Sequence, residues 1–459
     1  MWGRVSEFFA RFSHLRRNAR LYLISNSLQA FSAGAIGVLY TLFLNGLGYG
    51  TSFIGVALFV GTAGGALGIF PASALVRRLG WRKMLLLSDL IGGVAIFLQL
   101  IAPTRAVTLI TSLGVGASVA IFLVLNAPFL AANSEPEQRN AIFGLNNALG
   151  FLAGVSGSLL GGLLPVWIGA GFRAQAAWLD VLRPILLADP QGRIYQLAML
   201  AAGVVAVPSI VPVLLMRERE GEAVHAAAEM ASSASSAPLR ERMSAWRRLA
   251  GDVARGAIGR ISASQALVGL GAGLFFPYLN IYFVDRLGAS TAFYGALTAS
   301  VTALLALVSL LSAPLADRFG RVRVVLVAQV ASLPFMVAMG AAPVLAIVSA
   351  SYVIRSTLMN TGAAPLQALL MDAVPSERRV LASNVYNVSW QGAWAVGAAL
   401  GGELIALGGY GAPFYVTAAC YGMSAALFGL WFLRRGPTRG DTVTVIPGPT
   451  HGDAGVSEL

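Results

Sequence analysis

Twelve predominantly apolar runs follow one another along the chain, beginning near positions 21, 52, 84, 106, 141, 194, 261, 292, 324, 344, 380 and 412. Nothing else in the sequence narrows the possible folds as far. Hydrocarbon about 30 Å thick is crossed by a helix of about 20 apolar residues at a rise of about 1.5 Å each, and each of the twelve runs meets that length. Short turns built on Gly, Pro or charge, such as "LNGLGYGTS", "VRRLGWRK", "APTR" and "DRFGRVR", separate most of them, so the spans are tightly hairpinned. Composition agrees: 57% of the 459 residues are hydrophobic and 11% charged, where a soluble domain carries about a quarter charged residues. The formal charge of +12 is dispersed between apolar runs and is not gathered on one solvated face, so no nucleic-acid partner is expected. The single Cys420 excludes an internal disulfide framework or a Cys-based metal cluster and reads as a small buried hydrophobe. No metal site and no cofactor are expected.

Basic residues are retained on the cytoplasmic side of a membrane. With both termini inside, the inner segments hold 26 of the 32 basic residues and the outer loops five (Arg105, Arg173, Arg183, Arg193 and Arg286), with Arg355 left inside a span. Lys83 stands alone among 31 arginines, a bias of GC-rich bacterial genomes. These observations predict a multi-pass protein of a bacterial inner (plasma) membrane, monomeric, with cytoplasmic termini. Residues 1–20 place Trp2, Val5, Phe9, Phe12 and Arg16 at helical spacing, as in an amphipathic helix lying in the interface. Residues 21–216 are expected to form a first six-helix bundle, 217–258 a polar cytoplasmic linker, 259–435 a second bundle, and 436–459 a disordered cytoplasmic tail.

The two bundles are copies of one design. "LGYGTSFIG" at 47–55 matches "LGASTAFYG" at 287–295 in five of nine positions at an offset of 240. Other landmarks share that offset: "LVRRLGWRK" at 75–83 lies opposite "LADRFGRVR" at 315–323, "GVSGSLLGG" at 154–162 opposite "WAVGAALGG" at 394–402, and Asn147 opposite Asn387. A long internal repeat in a twelve-span chain is the sequence sign of a transporter whose halves rock about a central cavity.

"APLADRFGRVR" at 313–323 resembles the signature G-x-L-a-D-r-x-G-r-+-+ of the major facilitator superfamily, matched at Leu315, Ala316, Asp317, Arg318, Gly320, Arg321 and Arg323. Ala313 stands in place of the first Gly and Val322 in place of one basic residue. The earlier copy keeps Leu75, Arg78, Gly80, Arg82 and Lys83 but has Arg77 where the family has Asp. "GSLLGG" at 157–162 is similar to the fifth-span antiporter motif, with Ser158 for Pro, while the fourth-span arginine motif is absent. The resemblance covers about positions 20 to 435. It implies an all-α membrane protein of twelve transmembrane helices in two pseudo-symmetric six-helix bundles around a central cavity, lined by the first, fourth, seventh and tenth spans. It also implies a gate at the inner loops, for which Asp317, Arg318, Gly320, Arg321, Arg78 and Gly80 are the candidates. Gly157, Gly161, Gly397 and Gly401 have the spacing of closely packed helices.

Polar residues inside the spans are the candidate cargo contacts: Asn26, Gln29 and Tyr40 in the first, Gln265 and Asn280 in the seventh, Tyr352 and Arg355 in the tenth, Asn387, Gln391 and Trp394 in the eleventh. Arg355 counts to mid-membrane, where an arginine costs at least about 2.5 to 3.5 kcal/mol unless solvated or paired. It is therefore expected to meet a carboxylate, phosphate or other acceptor-rich group of the cargo, or else backbone carbonyls or polar side chains such as Asn387. Asp89 counts to the inner surface and Glu403 to the outer. They are the candidate coupling acids for a proton or another counter-transported ion.

An enzyme at bilayer depth needs a nucleophile and base or a metal cluster. The spans hold no histidine, no H-E-x-x-H and no G-x-S-x-G, so catalysis is not expected. A secondary transporter exporting a small amphipathic or anionic solute is the leading reading. The alternatives are a lipid or lysolipid translocase of the same fold and a nontransporting receptor.

Overall fold

The computed structural model describes residues 15–135, 139–173, 186–217, 256–374 and 379–433. Most of the expected interfacial segment, the linker and the tail lie outside the described residues. Every regular element among those described is helical. In the first half these are α1 (Arg17–Gly46), α2 (Thr51–Ile101), α3 (Arg105–Ala132), α4 (Arg139–Arg173), and α5 (Pro190–Ala206), which continues through a 3-10 turn into α6 (Ile210–Leu215). In the second half α7 (Ala257–Phe275) passes through a 3-10 turn at Phe276–Tyr278 into α8 (Leu279–Ile281) and a π-helical turn at Tyr282–Arg286. Then come α9 (Thr291–Phe319), α10 (Arg321–Ala341), α11 (Leu345–Thr361), α12 (Ala363–Asp372), α13 (Arg379–Gly408) and α14 (Ala412–Phe432).

Ten helical segments among the described residues are long and apolar enough to cross a membrane. The tenth and eleventh runs fall outside that set for local reasons. Gly362 divides the tenth into α11 and α12, and α13 carries Asn384, Asn387, Gln391 and Glu403. Both still pack into the bundle, α11 on α10 and α9, α13 on α7 and α2. The first and seventh spans begin at Arg17 and Ala257, ahead of the expected 21 and 261, because helix continues past the apolar run into basic sequence.

The repeat is visible in the backbone. Gly80 and Gly320 have φ of 79° and 84°, Gly48 and Gly288 φ of 80° and 66°, a left-handed region that a Cβ disfavours. In each pair the two residues stand 240 apart. The Gly80 and Gly320 turns share one end of the molecule with both described chain ends, Arg78, Arg82 and Lys83, and Arg318, Arg321 and Arg323; this is called the basic end. The hairpins at Gly48 and Gly288 mark the far end.

α2 packs against α13, and α4 against α9, joining the halves in equivalent pairs. The apolar core is not shared evenly. At the far end Leu39, Leu42, Phe43 and Ile54 of the first half are in one cluster with Tyr278, Ile281 and Ile405 of the second. At the basic end there are two separate cores, one around Tyr22, Trp81, Leu125 and Phe129 and one around Ile258, Val325, Leu366 and Phe428. The halves are welded at one end and parted at the other.

Candidate functional site: a gap between the bundles

The weld is polar as well as apolar. Thr51 Oγ1 donates to the Gly402 carbonyl at 2.9 Å, and Thr291 Oγ1 to the Gly162 carbonyl at 2.8 Å. Thr51 and Thr291 are repeat equivalents, and so are Gly162 and Gly402, so these are one bond formed twice. Asn45 and Asp285, also 240 apart, bond to each other across the halves. Pro277 breaks the seventh span into its 3-10 turn, and the Pro277 carbonyl accepts from Thr41 at 3.2 Å. Thr41 also donates to Asn280 Oδ1, and Asn280 Nδ2 to the Val38 carbonyl at 2.9 Å. Among the described residues these are the hydrogen bonds between the halves, and all lie toward the far end. Glycines allow the approach: a Cβ at Gly162 would stand 2.6 Å from the Thr291 carbonyl oxygen, and one at Gly295 2.6 Å from that of Ser158.

Below the weld the same helix faces are open. On α13, Ala398 and Gly402 are buried against α2, while Gln391 and Asn384, two and four turns nearer the basic end on that face, are exposed, as is Asn387. α4 repeats the pattern, with Ser158 and Gly162 buried and Gly144, Asn147 and Phe151 exposed. On α1, Gly37 is exposed with nothing within 4 Å of a Cβ built there, one turn from the buried Thr41. Phe276 is 45% exposed, one turn from the buried Asn280. The gap is thus lined by amides, aromatic rings and glycine. From Gly144 to Gly162 and from Asn384 to Gly402 there is no charged residue.

Several candidates lie elsewhere than the sequence suggests. Asn280 is 3% exposed and belongs to the weld. Tyr40 sits inside the first half, its hydroxyl 3.0 Å from Gln99 Nε2 and 3.3 Å from Ser112 Oγ. Gln265 is buried and accepts from Tyr386 at 3.5 Å, and Tyr352 is packed against the Phe276 and Phe283 rings. Asn26 donates to Asn146 at 2.7 Å, tying α1 to α4. Asn387 Nδ2 donates to the Ser383 carbonyl one turn back in its own helix at 2.9 Å and is not bonded to Arg355. Trp394 offers its backbone to Gly273 of α7, and Gln391 is exposed at the gap.

Arg355 is the largest correction. It is 4% exposed, and its Nη2 donates to the Tyr421 hydroxyl at 3.1 Å. The Phe275 ring lies 4.7 Å from the guanidinium carbon and the Tyr421 ring 5.6 Å. Tyr421 is on α14 and Phe275 on α7, so the arginine is held between two helices of the second bundle and, at this burial, does not open on the gap. Its Nε and Nη1 have no hydrogen-bond partner among the described residues. Cation–π contact offsets about 2 kcal/mol of desolvation, less than burying a charge with unmade hydrogen bonds costs.

Asp89 is the second. Gln29 Nε2 donates to its Oδ1 at 2.6 Å, and its Oδ2 is buried without a partner among the described residues. Gln29 is the thirteenth residue of a thirty-residue helix, so Asp89 lies near mid-depth and not at the inner surface. Glu403 is exposed beside Gly402. Of the gate residues, Asp317 is exposed with no hydrogen bond or ion pair among the described residues, Arg318 lies over Phe319, and Arg321 pairs with Asp372 in its own half. Arg78 is exposed. Gly157 and Gly161 press on α1, and Gly397 and Gly401 on α7, inside each half. Sequence reasoning missed Thr41, Asn45, Thr51, Thr291, Gly162, Gly402 and Asp285 as joining residues. The signal was available for Thr51 and Thr291, which are identities within the repeat.

No curated protein matches the chain in sequence. The fold is similar to that of a bacterial homologue of the human lysosomal transporter Spinster, at 13% identity and a TM-score of 0.68 over 90% of this chain and 96% of that one. It is also similar to the nucleoside transporter NupG, at 11% identity and a TM-score of 0.67 over 91% and 99%. A bacterial homologue of the iron transporter ferroportin aligns at 14% identity and a TM-score of 0.65 over 90% and 98%. A family model, Major Facilitator Superfamily, matches residues 22–258 and 261–451, one segment for each half. With two repeated bundles welded at one end and the matching model spanning both, the chain belongs to the Major Facilitator Superfamily.

Proposed function

We propose that the protein is a secondary transporter that exports a small amphipathic solute rich in hydrogen-bonding groups across a bacterial inner membrane by alternating access. The observation that carries this reading is the gap: an uncharged, amide- and aromatic-lined face, open toward the basic end below a closed weld. With the arginines on the cytoplasmic side, that opening faces the cytoplasm, from which an exported solute loads. Gln391, Asn387 and Phe276 are the cargo contacts on the second half, and Asn147 and Phe151 on the first. Arg355 does not open on the gap, which favours an uncharged or amphipathic solute over an anion. Asp89 is the coupling acid, supported by its buried oxygen without a partner among the described residues and its bond to Gln29 of the gap-lining α1.

A stabilisation screen of the purified protein against amphipathic compounds, followed by flux of each hit in proteoliposomes, tests the reading. Gln391→Ala is expected to weaken binding of a hit about fivefold, the worth of one hydrogen bond near 1 kcal/mol, with no change in melting of the unliganded protein. A hit that stabilises the protein yet is never moved makes the chain a receptor and ends the transport reading.

A further inference from the structure

We propose that the second bundle holds a small monovalent anion, of chloride size, against the guanidinium of Arg355, at a place separate from the cargo gap. Arg355 is 4% exposed, so bulk solvent does not neutralise it. Within the described part of the second half the acids are Asp285, Asp317, Asp372 and Glu403. Asp285 is bonded by Asn45 at the far end, Asp372 pairs with Arg321, and Asp317 and Glu403 are exposed near opposite ends. None reaches Arg355. Among the described residues of the second half the buried positive charge therefore meets no negative one, and two of the three guanidinium nitrogens find no acceptor.

Buried water would satisfy those N–H groups but leave the charge unbalanced. An anion balances the charge and accepts charge-assisted hydrogen bonds from the edge of the planar fork it meets, Nε with Nη2 or Nη1 with Nη2, so that one of the two open nitrogens is taken by the ion. The Tyr421 hydroxyl accepts from Arg355 Nη2, and its own hydrogen has no acceptor among the described residues, so it is a further donor to the same ion. The surroundings set the size. Phe275, Tyr352, Val348 and Tyr421 belong to one apolar core, which leaves no entry for an organic carboxylate carrying its own apolar body. A monatomic ion such as chloride, weakly hydrated and spherical, asks the least room of so closely packed a surrounding.

The test is thermal melting of the detergent-purified full chain in sodium chloride against sodium gluconate at equal ionic strength. The wild type is expected to melt higher in chloride, with a saturable dependence, and Arg355→Gln to melt alike in the two salts. Tyr421→Phe keeps the charge and removes one donor, and is expected to raise the chloride midpoint about threefold or more; it carries the test if Arg355→Gln does not fold. Equal melting of the wild type in both salts, a chloride response that survives Arg355→Gln, or an unmoved midpoint in Tyr421→Phe would overturn the proposal. Flux of radioactive chloride into proteoliposomes at the rate of protein-free vesicles marks a resident ion; faster flux makes chloride the cargo and overturns the separate site. A chloride response in a protein that moves no organic solute would remove the transport reading and leave this one standing.

Discussion

Asp89 and Arg355 show how far a single residue can be read from its position in a sequence. Both lie in apolar runs, so their cost to insertion is legible from the sequence. Depth and direction are not. Counting Asp89 from Lys83 puts it at the surface, but α2 is already helical at Lys83 and turns only at Gly80, so Asp89 is nine residues from that turn and twelve from Ile101. Arg355 counts to mid-span, yet which neighbour it faces depends on how α11 is rotated against α7 and α14, and no local signal carries that. The mid-depth position of Asp89 makes a prediction. Asp89→Asn keeps an acceptor for Gln29 Nε2 and removes a buried, half-satisfied carboxylate, so the variant is expected to melt no lower than the wild type. If the acid is the coupling group, exchange of labelled for unlabelled cargo persists in proteoliposomes while accumulation driven by a pH gradient is lost. Undiminished gradient-driven accumulation would take the coupling role away from Asp89.

Pairs of helices, rather than residues, make the weld: α2 with α13 and α4 with α9. The sequence reveals these elements well, because the repeat preserves what each needs locally, a left-handed glycine at the hairpin, then Thr at the helix start, then Gly where another backbone approaches. Which elements meet across the halves is not written locally, since the partner of each Thr is the carbonyl of a glycine in a different run. Thr51→Val and Thr291→Val each remove one hydrogen bond worth about 1 kcal/mol, expected to shift the balance toward a far-end-open form about fivefold. The double variant is expected to be additive, because the bonds share no atoms. Gly162→Ala should act more strongly, as its Cβ cannot clear the Thr291 carbonyl oxygen at 2.6 Å. A cysteine placed at Phe151, 48% exposed in the gap, reports the shift: its labelling from the basic side slows as the far end opens, in the order wild type, single, double, Gly162→Ala. Native Cys420 is buried and contributes little background.

For the whole molecule, the repeat makes two bundles legible and leaves the relation between them open, because a chain that must expose one gap to either face encodes two arrangements of similar energy. The structure has one of them. Its far-end core spans both halves while its basic-end cores are separate, so the halves move as bodies only if the weld can part. Asn45 and Asp285 test this best, since they are repeat equivalents bonded to each other and so sit close to the pseudo-twofold axis, where rocking must separate them. Replacing both by cysteine and joining the thiols with a short reducible crosslinker holds the far end shut without touching the residues of the gap. The crosslinked protein is expected to bind cargo offered at the basic end with unchanged affinity, because that face is already open, yet to move none across the bilayer until reductant is added. Each single cysteine variant, treated alike, should transport throughout. Full-rate transport by the crosslinked protein would mean that solute crosses without the bundles parting at the far end, and the rocking of two rigid halves would have to be abandoned.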